Sequence, residues 1–268
     1  MDKIFSFGDV RAISWGKAAL FVLLFMILQG IAGVAMMSAF GNADIGLALS
    51  LIISYIGTLY ITGNELNWPN LKERGIGFDL VSIVAAFVLF SAFKFATMLP
   101  FEFVPGYEDM INMYMDTFGD LGPMVMIIAS LIGPVVEEIF FRGMIQGGLT
   151  HQYNAKRGII ISSLFFGLVH MIPVQVIAAF FMGLVLAWIY YKTRSLWIPI
   201  LIHVINNSGS MIMMEMSGED MTTMMRDDVG DMAVIGIIVG GAALSYVLYR
   251  FLDQRWSAMA EDEETGVV

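Results

Sequence analysis

The amino-acid sequence predicts an all-α fold, a polytopic membrane helix bundle of about eight transmembrane helices that forms a single domain over residues 1–268. Three observations predict it. Of the residues, 58% are hydrophobic and only 14% are charged, against roughly 25% charged in an ordinary soluble domain. The apolar residues gather in blocks of about 20, the length that crosses a hydrocarbon core of about 30 Å. The charges fall mainly between those blocks. A disordered chain, a collagen-like chain and a typical soluble enzyme are thereby excluded. The formal charge of −10, from 24 acids and 14 bases, also argues against a nucleic-acid partner, which needs a basic footprint. The absence of cysteine excludes disulfides, thiolate metal sites and a cysteine nucleophile.

The elements follow in order. Segment 15–40 comes after a basic stretch with Lys3, Arg11 and Lys17; its apolar run is longer than a signal-peptide core, so it is read as a retained helix. Segments 44–63 and 79–100 follow, the second with Lys94 inside it. Segment 123–148 holds Glu137, Glu138 and Arg142. Segment 158–172 is short and stops before Pro173. It spans only about 22 Å as a helix, so with segment 174–192 it can form a broken or tilted pair. Segment 196–214 holds His203, Asn206 and Asn207, and segment 232–252 precedes an acidic tail over 256–268. The motif-bearing core is about 123–214. No internal repeat is visible, which weakens an inverted-repeat transporter reading.

Charge sorts by side. With a cytoplasmic N-terminus, the inner segments hold eleven of the 14 bases and the outer loops only Arg226. The outer loops hold twelve acids, among them Asp44, Glu102, Asp120, Glu219 and Asp220. The inner segments include Lys72 and Arg74. Positive residues stay inside, so both termini are expected to be cytoplasmic.

Ionisable residues within membrane spans are costly and normally face a protein interior or a wet cavity. Glu138 and Arg142 are four apart and can pair on one helix face, while Glu137 is turned about 100° away. One carboxylate can then be held by the arginine and the other point elsewhere. Phe166 and His170 share a face, as do His203 and Asn207. Counted along their helices, Glu137, His170, His203 and Asn207 fall into one layer, biased to the cytoplasmic half. Lys94 is expected to snorkel or pair with an acid, Asn206 to act as interhelical glue, and His151 to be solvated in an inner loop.

Two carboxylates, two histidines and an asparagine suit amide hydrolysis, which needs an activated water and donors for the developing oxyanion. A zinc alternative uses Glu137, His170 and His203 as ligands with Glu138 as base. Asn207 is a poor zinc ligand and a good donor, which favours the metal-free version with no cofactor. His-Glu-x-x-His is absent, no aspartate lies mid-helix, and Ser208 and Ser210 form no Gly-x-Ser-x-Gly elbow.

The stretch Pro134–Gly143 resembles the Glu-Glu-x-x-x-Arg motif of the CAAX protease and bacteriocin-processing family, also called the CPBP or Abi family. Phe166–His170 resembles its Phe-x-x-x-His motif and His203–Asn207 its His-x-x-x-Asn motif, all in the family's order over about residues 130–210. The resemblance implies an eight-helix intramembrane endopeptidase with a cavity open to the cytoplasmic side. It implies that Glu137 and His170 activate water, that His203 and Asn207 form the oxyanion site, and that Glu138, Arg142 and Phe166 support them. The implied partners are the bilayer and a protein or peptide substrate, lipidated or membrane-associated. Two alternatives stand beside this: a non-catalytic membrane partner such as a bacteriocin self-immunity protein, and a proton-coupled transporter.

Overall fold

The structure is a computed structural model that describes residues 10–69, 79–118, 121–217 and 224–265. Lys3, Lys72, Arg74, Asp120, Glu219 and Asp220 lie outside the described residues. All the regular structure among the described residues is helical.

Helices α1 (Trp15–Phe40) and α2 (Ala43–Leu66) pack as a hairpin. The Ser14 side chain caps α1 by accepting from the Lys17 amide. Gly41, at φ 62°, ends α1 in the left-handed region that side chains disfavour, and Asn42 caps α2 by accepting from the Ile45 amide at 3.0 Å. Helix α3 (Leu80–Met98) is capped by Asp79 and continues as a 3₁₀ turn, Leu99–Phe103. Helix α4 (Tyr107–Phe118) forms in what the sequence reading leaves as an acidic outer loop.

Helix α5 runs from Pro123–Gln152, with π-helical stretches at Ile128–Ile132 and Glu138–Gln146. Pro134 lacks the amide that would bond the Ser130 carbonyl, and its ring crowds that turn, so the first wide stretch sits where the proline interrupts the ladder. Asp44 of α2 caps the start of α5, accepting from the amides of Met124 (3.3 Å) and Val125 (3.0 Å). Helices α6 (Ala155–Leu168), α7 (Pro173–Thr193) and α8 (Trp197–Ser217) follow. A one-turn helix, Met225–Val229, leads into α9 (Asp231–Thr265). Helix α4 packs on α7.

Each expected apolar segment thus becomes one helix. By length and composition, six helices among the described residues are able to cross a membrane: α1, α2, α3 with its 3₁₀ extension, α5, α7 and α9. Helix α6 covers only about 21 Å, and α8 interrupts its apolar run with His203, Asn206 and Asn207. The polytopic helical membrane bundle stands, with six of the eight expected crossings supported in this way. Helix α9 continues well past segment 232–252 into the acidic tail, and the fully buried Trp256 packs on Trp188 of α7 at 5.4 Å.

Two apolar clusters hold the bundle. One joins α1, α2, α5 and α6 through Phe21, Phe25, Tyr55, Phe140, Phe141 and Phe166. The other joins α3, α7, α8 and α9 through Phe90, Leu186, Ile198, Ile202 and Trp256. Helix α8 packs along α5 at the seam between them, and the polar side chains of both helices meet there.

Candidate active site

Consecutive residues on a helix diverge by about 100°, and Glu137 and Glu138 do so. Glu138 is fully buried and its Oε2 lies 3.1 Å from Nε of Arg142, one turn on. Its Oε1 accepts from Nδ1 of His203 at 2.8 Å. A carboxylate this deep needs such partners, because desolvation otherwise exceeds what one ion pair returns. Glu137 keeps 15% of its side chain exposed, and its Oε2 lies 3.9 Å from Nε2 of His203.

Phe166 organises the rest. The Arg142 guanidinium lies over its ring at 4.1 Å. The rings of His170 and His203 meet it edge-on at 5.1 Å and 5.7 Å. The two histidines, expected from different helices, therefore converge on one aromatic surface.

His170 lies not in a helix, as segment 158–172 predicts, but in the turn after α6. Pro173 disfavours helical backbone at Ile172, which is extended, and Met171 takes φ 63°. The four-residue spacing to Phe166 still works: Nδ1 of His170 donates to the Phe166 carbonyl at 2.8 Å. A carbonyl only accepts, so Nδ1 carries the proton, and in its neutral form the ring offers a lone pair at Nε2.

Asn207 lies one turn along α8 from His203. Its Nδ2 donates to the Ala129 carbonyl at 3.4 Å, and its Oδ1 accepts from Asn206 Nδ2 at 3.1 Å. Lys94 neither snorkels nor pairs with an acid among the described residues; its ammonium donates to Asn206 Oδ1 at 3.0 Å. The amide oxygen is within reach of α3, so the chain need not extend to the interface. His151 is exposed and meets the Val10 carbonyl at 2.9 Å, outside the cluster.

One member escaped the sequence reading. Tyr55 of α2 is 4% exposed, stacks on Phe25 at 6.0 Å and hydrogen-bonds Glu137. A Cβ on Gly133 would meet the Tyr55 hydroxyl at 3.0 Å and Glu137 Oε1 at 3.8 Å, so this glycine, one turn before Glu137, leaves the room they share. Only that glycine hinted at a partner; the sequence around Tyr55 carries no motif.

The zinc alternative needs three donors around one point. No group of three or more His, Asp or Glu side chains among the described residues is placed to hold an ion. Nδ1 of His170 and Nδ1 of His203 are each committed to an oxygen acceptor. Glu137, His170 and His203 do not converge on one point, and the two Nδ1 bonds leave Nε2 as the open nitrogen of each ring. The arrangement offers instead a carboxylate, an imidazole lone pair and two hydrogen-bond donors around one seam.

Residues 120–209 match the family model described as Type II CAAX prenyl endopeptidase Rce1-like. YdiL of Bacillus subtilis (strain 168), provisionally named a membrane peptidase, is 30% identical over 170 residues, 60% of this chain and 70% of YdiL. The membrane-embedded CAAX protease MroQ of Staphylococcus aureus (strain USA300) is 35% identical over 95 residues, 32% of this chain and 37% of MroQ. No solved structure matches.

Proposed function

From the premise that this chain belongs to the CAAX protease and bacteriocin-processing family and is an intramembrane protease, we propose that it is an endopeptidase acting on a membrane-associated or lipidated protein or peptide. The cleaved bond lies near the cytoplasmic half of the bilayer, and Glu137, His170, His203 and Asn207 carry the reaction. The observation that carries this reading is the pair of hydrogen bonds that divides the labour of the histidines. His170 gives its Nδ1 proton to Phe166 and keeps a lone pair at Nε2. His203 gives its Nδ1 proton to Glu138 and turns Nε2 toward Glu137.

A water between Glu137 and His170 loses one proton to Glu137, while its other O–H donates to His170 Nε2. Its oxygen attacks the substrate carbonyl carbon, and the carbonyl π pair moves onto oxygen. Asn207 Nδ2–H and His203 Nε2–H stabilise that oxyanion. To donate at Nε2 while Nδ1 serves Glu138, His203 must carry both ring protons; with Arg142 it then balances the two carboxylates. On collapse the C–N bond breaks, and Glu137 returns its proton to the leaving nitrogen. The base contributes about 10²–10⁴ in rate, and each oxyanion donor about 10²–10³. Tyr55 and Gly133 hold the Glu137 carboxylate in place. Both named relatives are bacterial, and the basic inner segments support a bacterial inner membrane with cytoplasmic termini.

The test compares membranes carrying wild-type protein with membranes carrying Glu137→Gln, by mapping newly formed peptide ends. Ends present only with the wild type, and folded variant in the membrane, are expected. Normal cleavage by the variant sinks the reading. Cleavage is also expected to survive rigorous metal removal; loss with chelator and rescue by zinc reverses the metal-free assignment.

A further inference from the structure

A lysine inside the bundle, on a helix without any motif, calls for a role. Lys94 of α3 is partly buried and lines a small recess with Phe90, Phe93, Phe181 and Met182. No carboxylate among the described residues lies within ion-pair range of it; its ammonium is hydrogen-bonded to Asn206 at 3.0 Å. An ammonium has only donors, so Asn206 must present its Oδ1 to Lys94. The Nδ2 of Asn206 then faces the other way and donates to Oδ1 of Asn207 at 3.1 Å. That leaves Asn207 with its amide nitrogen turned outward, toward the Ala129 carbonyl at 3.4 Å. One long bond to that carbonyl occupies one of two N–H groups and leaves the second available.

We propose that Lys94 and Asn206 are positioning residues that fix the polarity of the Asn207 amide, so that it presents N–H donors rather than its oxygen to the reacting carbonyl. This rests on the oxyanion role given to Asn207 above. The two ends of a carboxamide are nearly alike in shape and opposite in chemistry: the nitrogen stabilises an oxyanion and the oxygen repels it. Packing alone discriminates poorly between the two orientations. A relay that ends on a pure donor allows one only. The same relay brings a positive charge two hydrogen bonds behind the donor, where it polarises each bond in the chain and favours negative charge on the substrate oxygen.

The experiment measures kcat and KM of the full-length protein in detergent or vesicles for Lys94→Met, Lys94→Arg, Asn206→Ala and Asn207→Ala. Thermal unfolding of each sample sets the folded fraction. For Lys94→Met we expect kcat to fall about tenfold or more, with KM unchanged. Asn206→Ala, which keeps the lysine, is expected to match it, and adding either change to Asn207→Ala is expected to cost nothing further. Lys94→Arg restores most of kcat, since guanidinium is also a pure donor. A peptide aldehyde or phosphonate that mimics the tetrahedral state is expected to lose affinity in step with kcat. Normal kcat in folded Lys94→Met and Asn206→Ala, with Asn207→Ala impaired, overturns this inference and leaves the oxyanion reading standing. Normal kcat in Asn207→Ala overturns both.

Discussion

Helices α5 and α9 are both long and apolar, yet they handle the membrane in opposite ways. In the most apolar stretch of α5, 56% of residues are buried within the protein; in that of α9 only 11% are. Helix α5 carries Glu137, Glu138 and Arg142 and tolerates two π-helical stretches. Helix α9 is regular through its apolar half and presents Ile235, Val239 and Val247 outward. The difference teaches where function can reside. Charged groups and irregular backbone at membrane depth survive only where protein, not lipid, surrounds them. Helix α9 is tied down by charges in its C-terminal half instead, with Arg255 on Asp79 at 3.1 Å and Lys192 on Asp253 at 2.7 Å.

The largest test of this contrast is Arg142→Ala. It leaves the buried Glu138 carboxylate with His203 but without its guanidinium and empties the face of Phe166, and should cost about 3–5 kcal/mol, read as a fall in the thermal unfolding midpoint. Arg142→Lys keeps the charge but loses the planar stack, and should fall between. If Arg142→Ala unfolds like the wild type, the α5 cluster is not held by its ion pair.

Next is Tyr55→Phe, which removes one hydrogen bond to Glu137 and leaves the stack on Phe25. A hydrogen bond to a charged group is worth about 1.5–3 kcal/mol, so kcat should drop about tenfold or more while the unfolding midpoint hardly moves. Gly133→Ala should have a similar effect, because its Cβ crowds the Tyr55 hydroxyl at 3.0 Å. A change in KM alone would assign Tyr55 to substrate binding instead.

The C-terminal half of α9 gives a smaller, pH-dependent effect. Burial pushes the Asp79 carboxyl up, but hydrogen bonds from Ser82 and the Arg255 guanidinium outweigh it and hold the group below its usual range. A lowered folded value means the contact is fully present above the unfolded carboxyl's pKa of about 3.9. It is lost as pH falls through the lower folded value. Both partners are about a third exposed, so Asp79→Asn should cost under about 1 kcal/mol at neutral pH. The wild type and variant should converge in acid. A difference that grows as pH falls would refute the assignment.

The smallest effect belongs to the lipid-facing side. Val239 is 63% exposed, and Val239→Ala should change the unfolding midpoint by no more than about 0.5 kcal/mol allows, with activity unaltered. A large loss would show that another surface covers α9 there.

What the sequence by itself determined is local and periodic. The apolar blocks placed the helices, and a four-residue spacing paired Glu138 with Arg142, Phe166 with His170 and His203 with Asn207, because 3.6 residues per turn fixes which side chains share a face. It also separated the two carboxylates, one on the arginine's face of the helix and one turned about 100° from it. Tertiary structure alone decided what lies between helices. That His203 bonds Glu138, that Tyr55 reaches Glu137, and that Lys94 sets the Asn206–Asn207 relay depend on residues far apart in the chain. Their distances follow from how two apolar clusters pack against a common seam, and no spacing along one helix encodes that. The same packing, with Pro173, placed His170 in a turn rather than a helix, which single-helix periodicity has no means to register.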